Sequence, residues 1–405
     1  MIKKITTIIL IVCSIFSMYS GLNSYSIQSG TLKVYAEKEK VTSSSEDENI
    51  GSQTIMDGIT LNEEDSITCL PKKTSNAAYY SIYENASVAY ASLTVKDTIG
   101  LNFYLDVEKF TDDKNAYVEL EYNHNAINYI PNIQTDRIYL YSATQSDGMY
   151  KFSLSFASGQ IADEINIRLY SSSDELLFNK LNLSILSYCE AIIESNQEEK
   201  LVKLCKSIID YGKYAKEYFG YKPEVEIDKT DLVLPQSIKQ EHLLQGLTQN
   251  EITSEEKLVA NVEVANLSFV RYSFVALSDV SIRIYFNILN GGTIDDYNIT
   301  FAKPVGALTD MNIKTDSNDW GYYVEIYGIE SANINKMFSV TITHKEGTST
   351  TITYSALNYI ATVLQKIGNS QDEKLLQQKN MCLAIYQYNL YAIEYFKVGN
   401  AWEVL

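Results

Sequence analysis

Catalysis in this chain would have to come from carboxylates, from three histidines or from cysteine thiols. The sequence contains no HExxH, no CxxC, no Gly-x-Ser-x-Gly and no glycine-rich phosphate loop, the spacings that bring such groups together. Glu119 and Glu121 share one face of a predicted strand and Glu325 lies on another, and paired carboxylates can cleave a glycosidic bond. Among 51 acidic residues, solvated sheet faces explain these pairs. We therefore predict no catalytic residues and a protein that is not an enzyme, with a glycoside hydrolase as a minor alternative.

Metal binding has one candidate, the segment 316–321, which resembles the start of an EF-hand calcium loop. Trp320 stands at position 5 of the loop, where a ligand is needed, and Tyr327 stands at position 12, where the loop needs its bidentate glutamate. A hairpin turn explains the segment better. The sequence predicts no metal site and no cofactor.

Two cysteines are spaced for a disulfide bond. Cys189 and Cys205 lie eight residues either side of Gln197, near the centre of a predicted helical hairpin. Residues equidistant from the turn of an antiparallel pair sit at the same level, so these two thiols could be joined in an exported protein. The alternative is that both are small core residues.

Composition excludes several classes of protein. The 405 residues carry 33 Lys and Arg against 51 Asp and Glu, a net charge of −18, so we predict no nucleic-acid partner. The apolar fraction of 45% excludes a wholly disordered chain, and the length is typical of two or three domains. The tyrosine content, at 32 residues, is unusually high.

The N-terminus has the pattern of a secretory signal peptide. Lys3 and Lys4 precede an apolar run over residues 5–18 that is shorter than the roughly 20 residues of a membrane span. We predict a signal peptide over residues 1–36, cleaved after Ala36, with an uncleaved anchor as the alternative. Residues 37–65 read as an acidic linker. The mature chain is expected to be secreted, with no membrane span.

The chain contains one pattern twice. Residues 98–105 and 279–286 both alternate polar and apolar residues, as strands with one buried face do. Each copy then changes to helical spacing, and Tyr-x-x-Tyr-Ala-x-Glu-Tyr-Phe closes both, at 211–219 and 388–396. We predict an α+β, β-rich fold of two antiparallel β-sandwich-like units, each followed by an amphipathic helical hairpin. The predicted segments are a first module at 66–221, a linker at 222–257, a second module at 258–398 and a tail at 399–405.

The segments ASLTVKDTIGLNFYL, LVKLCKSIIDYGKYAKEYFGY and GYYVEIYGIESANINKMFSVTI resemble a tandem module of secreted proteins from gut Clostridia. The resemblance covers nearly the whole predicted mature chain and implies export from a Gram-positive gut bacterium. That module usually stands beside leucine-rich repeats, immunoglobulin-like modules or polysaccharide-degrading enzymes. It carries no known catalytic residues. Its closing helix usually reads Tyr-Gly-Ala-Ala-Ala-Gln, and this chain keeps the aromatic residues there but not the small ones.

Five aromatic residues are candidates for a binding surface. Tyr139 and Tyr141 lie opposite the aliphatic residues of their predicted strand, and Tyr323 and Tyr327 do the same in a second strand that follows Trp320. Tyrosine and tryptophan suit binding surfaces because they offer a large area and lose little rotamer entropy. The alternative is that these rings pack under the helices or between the modules.

These observations predict a secreted, non-enzymatic binding protein that presents a tyrosine-bearing sheet face to an extracellular macromolecule. We expect an extracellular host protein as the partner, with an immunoglobulin as one candidate. The alternative is a glycan, held by a carbohydrate-binding accessory protein of a polysaccharide-degrading system.

Overall fold

The computed structural model describes residues 79–81, 89–95, 99–123, 133–146, 148–195, 198–221, 225–239, 242, 264–276, 280–304 and 311–396. Within these residues the chain forms four antiparallel sheets and four α-helices. The prediction of a β-rich α+β fold is therefore confirmed. The predicted signal peptide, the linker at 37–65 and the tail at 399–405 lie outside the described residues.

The first half of the chain forms two sheets. Sheet I has the order β1-β2-β3-β7-β6, and sheet II has the order β5-β4-β8-β9. Apolar residues of the central strands are buried, such as Leu101 and Phe103 of β3 in sheet I and Val118 and Leu120 of β4 in sheet II. Their strands are β1 (Tyr79–Ser81), β2 (Ala89–Thr94), β3 (Ile99–Leu105), β4 (Tyr117–Asn123), β5 (Ile133–Tyr139), β6 (Thr144–Ser146), β7 (Met149–Phe156), β8 (Ile165–Tyr170) and β9 (Leu176–Leu183).

The second half forms two further sheets. Sheet III has the order β10-β11-β14-β13, and sheet IV has the order β12-β15-β16. The stacked rings of Tyr272 and Tyr354, 4.3 Å apart, join the two sheets. Their strands are β10 (Leu267–Ala276), β11 (Val280–Ile288), β12 (Tyr297–Ala302), β13 (Asn312–Asn318), β14 (Gly321–Tyr327), β15 (Phe338–His344) and β16 (Ser349–Tyr354).

Two helices follow each pair of sheets. They are α1 (Ile185–Glu194), α2 (Glu199–Phe219), α3 (Ala356–Ile367) and α4 (Glu373–Phe396). The hydroxyls of Ser184 and Ser355 accept hydrogen bonds from the first-turn amides of α1 and α3, which fixes where these helices begin. Gly220, at φ 68°, ends α2 in the left-handed conformation that glycine tolerates.

The two halves meet through α2 and α4. The rings of Tyr211 and Tyr388 stack with their centroids 5.9 Å apart, and the Ser331 hydroxyl donates to the Val95 carbonyl at 2.7 Å. Buried residues of all four sheets and all four helices belong to one hydrophobic cluster. Among the described residues, no helix is long and apolar enough to cross a membrane.

Candidate binding face on sheet II

The structure places the five candidate aromatic residues on two different sheets. Tyr139 ends β5 of sheet II, and Tyr141 lies in the 3-10 turn that directly follows this strand. Trp320 lies in the turn between β13 and β14, and Tyr323 and Tyr327 lie on β14 of sheet III.

Four tyrosines form a continuous series across sheet II. Tyr139, Tyr117 and Tyr170 occupy one row on the adjacent strands β5, β4 and β8. Ring centroids are 5.6 Å apart for Tyr139 and Tyr117 and 5.2 Å apart for Tyr117 and Tyr170. Tyr141 stacks on Tyr139 at 5.4 Å with 19° between the ring planes. We call Tyr141, Tyr139, Tyr117 and Tyr170 the tyrosine row.

Tyr141, at one end of the tyrosine row, is exposed to solvent because the turn that carries it is held in place by Leu140. Leu140 is buried, and its amide donates to the Ala116 carbonyl at 3.0 Å. The Ser142 hydroxyl donates to the Tyr139 carbonyl at 2.8 Å. With Leu140 held in the core, the side chains on either side of it point outward, and Tyr141 is 68% exposed and Tyr139 36% exposed.

Tyr117 is the buried centre of the tyrosine row. The Arg137 guanidinium lies 4.1 Å from its ring centroid, and its hydroxyl donates to Asp174 Oδ1 at 2.7 Å. Burial, and then the hydrogen bond to Asp174, raise the pKa of Tyr117 to about 12. The ring is therefore neutral at physiological pH and fixed in one orientation.

Charged side chains form a second row on the same face of sheet II. Arg168 Nη1 lies 3.3 Å from Glu119 Oε1 and 3.3 Å from Glu121 Oε2. Arg137 Nη2 lies 3.9 Å from Glu119 Oε2, and Asn166 Nδ2 donates to Glu121 Oε1 at 2.8 Å. The hydrogen bond from Asn166, followed by that from Arg168, lowers the pKa of Glu121. We call Arg137, Glu119, Arg168, Glu121 and Asn166 the polar row.

No known protein family matches this chain, and no curated protein matches it.

Each of the other three candidate aromatic residues makes a cation–π contact. The Arg271 guanidinium lies 3.6 Å from the Trp320 ring centroid, the Arg283 guanidinium 4.8 Å from that of Tyr323, and the Lys314 ammonium 5.5 Å from that of Tyr327.

The expectation that Tyr323 points outward into solvent is wrong. Its position on the strand face opposite Val324 and Ile326 is as predicted, but the side chain is only 4% exposed. Tyr323 therefore offers no open ring face to a ligand, whereas Trp320 and Tyr327 are half-buried.

Glu325 departs from the sequence-based expectation for the same reason. Its carboxylate lies 3.0 Å from Arg283 Nε and accepts a hydrogen bond from the Ser281 hydroxyl at 2.7 Å. Arg283 and Glu325 are each 2% exposed, so this face of sheet III is not solvated. Opposite charges with additional hydrogen bonds tolerate burial that single charges do not.

The segment resembling a calcium loop is a hairpin turn, as the sequence favoured. Asn318 pairs with Gly321 across the β13–β14 turn, and Gly321 has φ 113°. Within the described ranges, no group of three or more His, Cys, Asp and Glu side chains is placed to hold a metal ion.

The helices α1 and α2 bring Cys189 and Cys205 together. Both are fully buried and unbonded. A hydrogen bond with Cys205, followed by burial, raises the pKa of the Cys189 thiol well above its usual value. The Cys189 thiol is therefore protonated at neutral pH, and the disulfide stays a prediction.

We expect the exported protein to carry a Cys189–Cys205 bond, because the two thiols are in contact and the extracellular environment is oxidising. Peptide mapping without reduction should recover the two peptides joined. Cys382 is the internal control: burial raises the pKa of its thiol to about 12, and it should be alkylated only after unfolding. Recovery of Cys189 and Cys205 as free thiols would reject the bond.

Proposed function

We propose that this chain is an exported, non-enzymatic binding protein that holds an extracellular macromolecule on the tyrosine row. The observation that carries the proposal is the exposed ring of Tyr141, stacked on Tyr139 above an anchored turn. A rigid aromatic ring can be covered by a partner with little loss of rotamer entropy. The predicted signal peptide supports export, and the resemblance to the module of gut Clostridia supports a Gram-positive gut bacterium as the source.

The polar row supports a binding role over hydrolysis. A glycosidase needs one carboxylic acid whose pKa is raised so that it can protonate the leaving group. On this face the pKa of Glu121 is lowered, and Glu119 is paired with two arginines. Neither carboxylate is placed in the apolar environment that a general acid requires.

We also propose that the chain is a duplicated unit of two packed sheets followed by a helical hairpin, with the segment boundaries given by the sequence. The strand orders support this organisation. Sheet I without β1 reads β2-β3-β7-β6, and sheet III reads β10-β11-β14-β13. Sheet II without β5 reads β4-β8-β9, and sheet IV reads β12-β15-β16. Each strand of one series has a counterpart at the same place in the other.

Among the described residues, the exposed pair Tyr139 and Tyr141 has no counterpart in the second unit, which supports a role beyond the fold. The strand β12 aligns with β4 in these orders, and it starts with Tyr297, which is buried against His344. No strand of sheet IV occupies the place of β5 in the described part of the chain. The second unit thus forms its sheets without an equivalent of the pair Tyr139 and Tyr141.

Tyr141→Ala is expected to weaken binding of the mature chain by about 30-fold or more, the effect of a 2 kcal/mol hot spot. The measurement is biolayer interferometry on immobilised mature chain, with purified immunoglobulin and a set of neutral polysaccharides as probes. Leu289→Ala, which removes an exposed apolar side chain directly after β11, is the matched control and should bind like the original protein. Unchanged binding of Tyr141→Ala to every probe that binds would refute the proposal.

A further inference from the structure

The polar row beside the tyrosine row is electrically balanced. The arginines Arg137 and Arg168 face the carboxylates of Glu119 and Glu121, so the polar row has no net charge although the chain carries −18. Surfaces that select protein partners by charge present an unbalanced patch to a complementary one. The polar row presents no such patch and suits a ligand without charge.

The position of the charged residues on sheet II also distinguishes a protein partner from a ligand rich in hydroxyl groups. The cores of protein interfaces are depleted of charged residues, which are found at the rim. Here the polar row runs through the middle of sheet II, directly beside the rings, because Glu119 and Arg168 lie on the central strands β4 and β8. A protein partner would have to bury these charges, whereas a ligand rich in hydroxyl groups could hydrogen-bond to them.

The area of sheet II agrees with a small ligand footprint. Four strands at ~4.8 Å spacing and seven residues at ~3.3 Å rise give a flat area of about 440 Å². A standard protein partner covers roughly 800 Å² on each side. Such a partner would have to extend well beyond the sheet, while an oligosaccharide could bind at the exposed end of the tyrosine row, where Tyr141 and Tyr139 lie.

We infer that the ligand of this face is a neutral glycan, an inference that rests on the proposed function of the tyrosine row. The apolar C–H face of a sugar ring stacks on the exposed side of Tyr141, whose ring is supported by Tyr139. Hydroxyl groups of the same or the next sugar accept hydrogen bonds from Arg137, whose side chain is 48% exposed. The fixed ion pairs hold these groups in place before the ligand arrives, which lowers the entropy lost on binding.

The test is electrophoresis of the mature chain in native gels that contain starch, galactomannan, arabinoxylan or mixed-linkage β-glucan, with polygalacturonate as an anionic comparison. We expect at least one neutral polysaccharide to retard the protein. Retardation should persist at high ionic strength, because salt screens charge–charge attraction but not stacking on a neutral sugar.

Three variants locate the site. Tyr141→Ala should abolish retardation, Tyr141→Phe should keep it because the ring remains, and Arg137→Ala should weaken binding about tenfold through lost hydrogen bonds to a charged group. Tyr327→Ala, on sheet III, is the matched control and should leave retardation unchanged. If Tyr327→Ala abolishes retardation and Tyr141→Ala does not, the site assignment is wrong.

Absence of retardation by all four neutral polysaccharides, or retardation by polygalacturonate alone, overturns the glycan inference. In that case immunoglobulin binding that is lost in Tyr141→Ala would leave the proposed function standing with a protein partner. If Tyr141→Ala leaves the binding of every probe unchanged, both the glycan inference and the proposed function are wrong.

Discussion

Glu325→Ala is expected to lower the free energy of unfolding by about 3–5 kcal/mol, the cost of leaving a buried charge without its partner. Arg283 would keep its guanidinium inside sheet III, between Tyr285 and Tyr323, with its paired carboxylate gone. The opposite charge of Glu325 holds the pKa of Arg283 above its ordinary value despite the opposing effect of burial. Urea denaturation followed by circular dichroism measures the change.

The control is the double variant Arg283→Met with Glu325→Met. Replacing both charges with apolar side chains of similar volume is expected to cost much less than Glu325→Ala alone, because no charge stays unpaired. Lys314→Ala is a second control, since its exposed ammonium lies 3.4 Å from the same carboxylate and contributes about 1 kcal/mol or less. A double variant as unstable as Glu325→Ala would contradict this explanation.

Asp163→Ala is expected to lower the free energy of unfolding by about 3 kcal/mol, since a shared buried acceptor is lost. Asp163 Oδ2 accepts hydrogen bonds from Asn123 Nδ2 at 3.0 Å, Gln160 Nε2 at 2.8 Å and the Tyr221 hydroxyl at 2.5 Å. These contacts join the end of β4, the 3-10 turn after β7 and the second residue after the end of α2. Burial and the hydrogen bond to Asp163 raise the pKa of Tyr221 above its usual range.

Tyr221→Phe, measured in the same denaturation experiment, separates the contribution of the Asp163 carboxylate from that of the Tyr221 hydroxyl. The variant removes one donor and keeps the ring, so we expect a loss of about 1 kcal/mol. If Tyr221→Phe costs as much as Asp163→Ala, the ring hydroxyl and not the shared carboxylate dominates the network.

The elements of the fold were predictable where the hydrophobic period was long and regular. The alternation in residues 98–105 and 279–286 corresponds to β3 and β11, and the helical spacing after residue 184 corresponds to α1 and α2. Period two and period 3.6 report burial of one face, so they are visible in a single sequence.

The site was only partly predictable because a strand pattern shows which residues share a face but not whether that face is covered. Tyr323 and Glu325 alternate with buried residues just as Tyr139 does, yet the sequence holds no sign that Arg283 would neutralise Glu325 from the neighbouring strand. Tyr117 and Tyr170 were missed although each lies on the predicted outward face of its strand. The register that aligns them with Tyr139 depends on pairing between strands distant in sequence.

The stacked rings of Tyr211 and Tyr388 have a consequence for how the protein unfolds. Each helix completes the core of its own half and also covers a ring of the other, within a single hydrophobic cluster. Detaching either half would expose buried aromatic surface on both. We therefore expect the two halves, despite their matching strand orders, to unfold as one cooperative unit and not as two independent domains.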